Sequence, residues 1–212
     1  DVYRSPGGKE YVRVIDYKTG NKVFQLSDVL YGLNMQMLVY LAALVEAGDD
    51  LPAGVLYLPA AEPSVSVDRG AGPQAVKKAA DRQMRMNGVV LEDTEIIEAM
   101  EAGARGIFIP ASLNKDGTPS KNSAVLTGRQ LETVLAYSKK LIAVLGDKLL
   151  EGRVEAKPHM KNRNACKFCP YGPVCGQQRD DKDVERDRTS PGEALEQMER
   201  AVFGGKGGED RG

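Results

Sequence analysis

Four polar residues concentrate the chemistry in this sequence: Asp16 and Lys18, two apart in Val12-Arg13-Val14-Ile15-Asp16-Tyr17-Lys18-Thr19-Gly20, and Gln36 and Tyr40, four apart in Gln36-Met37-Leu38-Val39-Tyr40. A carboxylate can hold a hard cation, and an ammonium beside it can steady an attacking water or a phosphate. A helix-borne amide and phenol one turn apart share a face and can act on the same substrate group. A second constellation is made of sulfur. All the cysteines fall in Cys166-Lys-Phe-Cys169-Pro-Tyr-Gly-Pro-Val-Cys175, and thiolates so close in sequence can converge on one metal centre.

These residues need elements that aim them. Val12, Val14 and Asp16 alternate with Arg13, Ile15 and Tyr17 in a β-branched run that Thr19-Gly20 stops, the signature of a strand. Asp16 and Lys18 then project from one face near its end. A plain surface ion pair at a strand end is the alternative. Leu30, Leu33, Met37, Leu38, Leu41, Leu44 and Val45 recur at three and four, which predicts a helix over Tyr31–Val45. Taken alone, Gln36 and Tyr40 are the amphipathic edge of a packing helix.

The cysteines read as metal ligands because an odd number in a chain without a secretory signal has little use for disulfides. Pro170 and Pro173 stiffen the loop. Soft sulfur ligands suit either zinc or an iron–sulfur cluster. Zinc requires a fourth ligand, for which His159, the only histidine, is the candidate.

Composition sets the frame. The chain has 212 residues, 42% hydrophobic and 28% charged, with a formal net charge of −1, as in an ordinary globular protein. No run of about eighteen apolar residues and no basic start before an apolar stretch is present, which predicts a cytoplasmic protein without a membrane span or secretory signal. The near-neutral balance hides local clusters. Arg69, Lys77, Lys78, Arg82 and Arg85 face only Asp68 and Asp81 between Ser64 and Asn87, and Lys157, Lys161 and Arg163 precede the cysteines. Such patches can contact phosphates or can simply be solvated helix faces. No Gly-x-x-x-x-Gly-Lys-Ser/Thr occurs, so ATP-driven unwinding is not encoded here.

Elsewhere, Asp1–Arg4 and the strand from Lys9 read as a hairpin turning at Pro6-Gly7-Gly8. Its paired positions sum to 15 for a Gly7-Gly8 turn, or to 13 for a Ser5–Gly8 loop. Either sum puts the partner of Asp16 ahead of Asp1, where a two-carboxylate metal site would need its second acid. Strands are expected at Gly54–Leu58, Gly88–Leu91 and Gly106–Pro110. Helices are expected over Gln74–Met86, Thr94–Ala102 and Thr127–Gly146, the last capped by Thr127, resuming over Lys148–Leu150 and stopping at Gly152. Residues 1–176 form the expected core with its cysteine loop. Residues 177–212 are charged and glycine-rich, a flexible tail with one short helix from Ser190-Pro191 through Ala201.

Val14-Ile15-Asp16-Tyr17-Lys18-Thr19-Gly20 followed by Gln36-Met37-Leu38-Val39-Tyr40 resembles the PD-(D/E)xK nucleases, and in particular the RecB-like nuclease domain at the C-terminus of AddB, the B subunit of bacterial ATP-dependent helicase-nucleases. The similarity extends to the closing Cys-x-x-Cys-Pro-Tyr-x-x-x-Cys. It implies an α/β fold with a restriction-endonuclease-like core, a mixed central sheet flanked by helices and a C-terminal cysteine loop. It implies a Mg²⁺-dependent deoxyribonuclease, an exonuclease working in double-strand break repair and recombination, with DNA and the helicase-nuclease A subunit as partners. On this resemblance Asp16 and the backbone carbonyl of Tyr17 hold the metal, Lys18 orients or activates the water, and Gln36 and Tyr40 position the backbone or brace Lys18. Cys166, Cys169 and Cys175 match three ligands of a structural [4Fe-4S] cluster. The family's fourth cysteine and a further metal-binding aspartate lie upstream of the matched region, so a chain beginning at Asp1 is expected to be impaired. A decayed DNA-binding or assembly module of the same fold, or a zinc-stabilised adaptor, are the competing readings.

Overall fold

The computed structural model describes residues 1–20, 22–154, 166, 169–175 and 189–204. Its centre is a five-stranded sheet, β1 (Val2–Arg4), β2 (Glu10–Lys18), β3 (Leu51–Pro59), β4 (Asn87–Leu91) and β5 (Val125–Leu126), in that spatial order. β1 is antiparallel to β2, β2 parallel to β3, β3 antiparallel to β4 and β4 parallel to β5. The α/β architecture with a mixed central sheet and flanking helices is thus as expected.

The hairpin register falls between the two values anticipated. Val2 pairs with Val12, Tyr3 with Tyr11 and Arg4 with Glu10, so paired positions sum to 14. The loop is Pro6-Gly7-Gly8: Ser5 N–H donates to the Lys9 carbonyl at 2.8 Å, Gly8 N–H donates to the Ser5 carbonyl at 2.9 Å, and Gly8 takes φ +80°. A three-residue loop closed by a left-handed residue is a standard hairpin connection. Pro-Gly-Gly fits it as well as it fits the two- and four-residue alternatives.

Between β2 and β3 the chain makes α1 (Leu26–Val29) and α2 (Gln36–Ala47). The helix expected from Tyr31 starts five residues later, because Gly32 (φ +75°) and Asn34 (φ +56°) break the backbone ahead of it. Its buried stripe is accordingly narrower than the periodicity suggested. Met37, Leu38 and Leu41 are fully buried, while Leu33 and Leu44 remain exposed. α2 lies on the face of β2 and β3 that carries Val12, Val14 and Val55, forming the main core. Each fully buried aliphatic side chain there contributes about 1.5–3 kcal/mol.

The remaining helices are α3 (Pro73–Gln83), α4 (Thr94–Met100), α5 (Gly128–Leu150), α6 (Gly172–Cys175) and α7 (Pro191–Phe203). α5 runs unbroken through Gly146, after a capping box in which Thr127 and Gln130 satisfy each other's backbone N–H. The helix expected at Ser190 is α7, opened by a second capping box from Ser190 and Glu193. It joins the main core through fully buried Ala194 and Met198, and Arg129 of α5 meets its Glu199 at 2.6 Å. Residues 177–188 and 205–212 lie outside the described residues.

The strand expected at Gly106–Pro110 does not form. Glu101, only 9% exposed, accepts from the N–H of Ile107 at 2.9 Å on Oε1, and from those of Phe108 at 2.8 Å and Ile109 at 3.1 Å on Oε2. One carboxylate has taken the donors that a neighbouring strand would have used. Burial pushes this carboxyl up, but the backbone donors more than offset it and hold it below the usual glutamate range. β5, two residues long, had no periodicity by which to be foreseen.

β3 and β4 approach so closely at Gly88 that an added Cβ would lie 2.0 Å from the Val55 carbonyl oxygen, and φ there is +154°. Overpacking and backbone strain then act together. Gly88→Ala should cost about 3 kcal/mol or more, read as a fall in the denaturant midpoint with no change in the slope of the transition.

Candidate active site

The alternation of β2 decides where its charged residues go. Val12 and Val14 sink into the core shared with α2 and with Val55 and Tyr57 of β3. Asp16 and Lys18 follow on the same face, and Asp16 stands opposite Tyr57 in the parallel register. α2 begins near the end of β2 and returns to the start of β3. Its first turns, bearing Gln36 and Tyr40, therefore lie at the end of the sheet where Asp16 and Lys18 sit. Gln36 Nε2 donates to Tyr40 Oη at 3.2 Å, and both side chains are exposed.

Asp16 and Lys18 form a close ion pair, with Nζ 2.6 Å from Oδ2 and side chains only 20% and 26% exposed. That Oδ2 atom is shut off from solvent and has no hydrogen-bond partner. The ammonium approaches it by charge, outside hydrogen-bonding angles, leaving the carboxylate lone pairs directionally uncommitted. The Lys18 ammonium also lies 5.5 Å from the centroid of the Tyr57 ring and the Lys22 ammonium 5.9 Å from it, both within cation–π range. One aromatic ring thus gathers two cations beside one carboxylate.

Tyr57, Asn34, Lys22 and Asn87 are site residues that the sequence alone did not pick out. The Tyr57 hydroxyl lies 3.4 Å from Asn34 Oδ1, and Asn34 Nδ2 donates to Asp28 Oδ2 at 2.7 Å. Asn34 is one of two non-glycine residues with positive φ among those described, where only a short polar side chain with local bonds sits easily. Asn87 fixes the loop after β2, accepting from Phe24 N–H at 2.7 Å and donating to the Lys22 carbonyl at 2.7 Å. Gly32-Leu33-Asn34 as a helix breaker, and one tyrosine in an otherwise apolar strand, were the signals that could have drawn attention to Asn34 and Tyr57; nothing local marked Lys22 or Asn87.

The backbone contributes as well. Lys18 C=O accepts from Ala60 N–H at 2.9 Å on the β3 side, whereas Arg13 C=O accepts from the Asp1 amino group at 3.0 Å on the β1 side. Carbonyls alternate edges along a strand, so that of Tyr17 points toward the β1 side, away from β3. Asp16 and the Tyr17 carbonyl are hard oxygen donors. With an uncommitted carboxylate oxygen they suit a dication such as Mg²⁺, which takes one or two carboxylates and keeps several waters. Among the described residues no three His, Cys, Asp or Glu side chains group closely enough to hold a metal.

That finding bears on the cysteines. Cys166, Cys169 and Cys175 are exposed thiols outside any disulfide. Cys169 N–H donates to the Cys166 carbonyl at 3.3 Å and Cys175 N–H to that of Tyr171 at 2.9 Å. The three thiols do not form one donor set in this arrangement. His159, the candidate fourth zinc ligand, lies outside the described residues.

Burial first, then the charges of Asp16 and Asp28, hold the Tyr57 phenol above its ordinary value of 10.0. Asp16→Asn should lower that ionisation toward, but not to, the ordinary value, because burial persists. Ultraviolet difference titration against Tyr57→Phe measures it, and an unchanged Tyr57 ionisation would dissociate the two groups.

Residues 2–176 match the sequence model of the PD-(D/E)XK nuclease superfamily. The chain is 39% identical over 183 residues to the B subunit of the ATP-dependent helicase/deoxyribonuclease of Thermoanaerobacter sp. strain X514, covering 82% of this chain and 16% of that protein. It is 39% identical over 176 residues to the protein of the same name from Caldanaerobacter subterraneus subsp. tengcongensis, covering 79% and 15%. The Symbiobacterium thermophilum protein of that name is 36% identical over 182 residues, covering 82% and 16%. The chain thus spans about a sixth of the length of these relatives, and no helix among the described residues is long and apolar enough to cross a membrane. A carboxylate and an ammonium on β2, with an amide and a phenol at the start of α2, accord with the match: the chain belongs to the PD-(D/E)XK nuclease superfamily.

Proposed function

We propose that this chain is the nuclease domain of a helicase-nuclease B subunit and hydrolyses DNA phosphodiesters with Mg²⁺, working with a helicase-nuclease A subunit in double-strand break repair. The observation that carries the reading is the Asp16–Lys18 contact of 2.6 Å, most of it shielded from solvent, on the sheet face that α2 covers. The names of the relatives supply the substrate class and the partner subunit.

Asp16 and the Tyr17 carbonyl would hold the metal. Bound there, Mg²⁺ supplies positive charge to the scissile phosphate and makes a neighbouring water a better nucleophile. Lys18 orients that water and meets the negative charge developing on phosphate oxygen, and its place over the Tyr57 ring limits the ammonium's freedom. Gln36 and Tyr40, exposed at the start of α2, hydrogen-bond the DNA backbone beside the reacting phosphate. Lys18→Ala and Asp16→Asn should each lower Mg²⁺-dependent cleavage of single-stranded DNA about 10²–10⁴-fold, measured in the full-length protein with its partner subunit. Equal activity in Lys18→Ala would remove Lys18 from the mechanism, and DNA binding without cleavage in the unaltered protein would favour a non-catalytic module.

For the cysteine loop we propose the role of cluster ligands, with Cys166, Cys169 and Cys175 contributing to a [4Fe-4S] centre. Three exposed thiols within ten residues, none in a disulfide, support it. Because they do not converge as they stand, cluster insertion would have to draw the loop together. Anaerobic reconstitution of the full-length protein should give a brown chromophore that Cys169→Ser abolishes. Stoichiometric zinc without visible absorption would favour the adaptor reading instead.

A further inference from the structure

The crossover between β3 and β4, residues 60–86, begins and ends at the catalytic end of the sheet. Lys18 pairs with Pro59, and Ala60 N–H donates to the Lys18 carbonyl at 2.9 Å, so the crossover departs beside the Lys18 backbone. It returns at Asn87, which pairs with Tyr57, the residue opposite Asp16. Its helix α3 buries no residue at all. An eleven-residue helix of this kind gains little from packing and is marginal by itself in water. The fold therefore gives no account of why it is there.

Its charge suggests one. The crossover has five cations, Arg69, Lys77, Lys78, Arg82 and Arg85, against Glu62, Asp68 and Asp81, in a chain whose net charge is −1. Arg69, Lys77, Lys78 and Arg82 are exposed and have no ion-pair partner among the described residues. Lys78 and Arg82, one turn apart, line an open groove with Ser66, Asp68 and Ala75. Arg85 Nε donates to the Ile109 carbonyl at 3.2 Å, which ties the end of the crossover to the body of the protein. Exposed, unpaired cations on an anchored arm beside a phosphodiester-cleaving site are complementary to a polyanionic strand.

Building on the nuclease reading above, we infer that residues 60–86 form a phosphate-tracking arm, in which Arg69, Lys77, Lys78 and Arg82 hold the single strand that flanks the scissile bond. The arm acts on binding and register, not on the chemical step.

The test uses the full-length protein and a labelled single-stranded oligonucleotide of about 20 nucleotides, longer than the roughly 4–16 nucleotides that a single-strand-binding groove engages. Binding is followed against salt in a chelator, so that no cleavage intervenes. Changing Arg69, Lys77, Lys78 and Arg82 together to Ala should weaken binding about tenfold and flatten the dependence of log affinity on log salt by up to about 3, at about 0.7 for each phosphate no longer neutralised. The charge-preserving set Arg69→Lys, Lys77→Arg, Lys78→Arg and Arg82→Lys should restore both. Unchanged affinity and slope in the alanine set, or equal losses in the two sets, would overturn the arm. Unchanged DNA binding with lost association to the helicase partner would also overturn it, and would make the strip a protein-docking surface. Because binding is read without metal, a finding that Lys18→Ala leaves cleavage intact would overturn the nuclease mechanism and not this result.

Discussion

The parallel pairing of β2 with β3 is the constraint on which the rest of the site depends. Two parallel strands cannot be joined by a tight turn, so the chain must climb over the sheet and come back. That climb is α1 and α2, and it lays Met37, Leu38 and Leu41 on Val12, Val14 and Val55. The same face, followed to the end of β2, presents Asp16 and Lys18. The first turns of α2, with Gln36 and Tyr40, start at that end because the helix must finish near the beginning of β3. Hydrophobic burial thereby fixes the position of groups that contribute nothing to it.

The register of that pairing does further chemical work. With Asp16 opposite Tyr57, a carboxylate, an ammonium and an aromatic ring share a small, partly dry space in which charge interactions are less screened than in water. Tyr57 is held in turn through Asn34 to Asp28, so the loop that delays α2 also braces the floor of the site. The left-handed backbone at Asn34 is placed where local order is most useful.

Much of this was legible in the residues. The alternation through Val12-Arg13-Val14-Ile15-Asp16 dictates both the strand and the shared face of Asp16 and Lys18, and the three-four recurrence of Met37, Leu38 and Leu41 dictates the helix. Thr127 with Gln130, and Ser190 with Glu193, announce two helix starts by capping chemistry alone. What escaped lies outside hydrophobic periodicity. Gly106-Ile107-Phe108-Ile109-Pro110 has every local mark of a strand and is diverted by Glu101, six to eight residues before the N–H groups it holds, a side-chain contact that apolar spacing does not encode. The hairpin register escaped because Pro-Gly-Gly admits three turn lengths, and the roles of Tyr57 and Asn87 because each depends on a partner strand.

The diversion of Gly106–Pro110 has a consequence for solubility. Ile107 and Phe108 are exposed, and an apolar, β-prone stretch with free backbone donors is the kind of segment that templates intermolecular strand addition. Glu101 occupies the donors of Ile107, Phe108 and Ile109. A neighbouring molecule approaching this stretch meets side chains but no open ladder to extend. One buried carboxylate thus closes three consecutive backbone donors to strand addition, and Pro110, which has no N–H, ends the stretch.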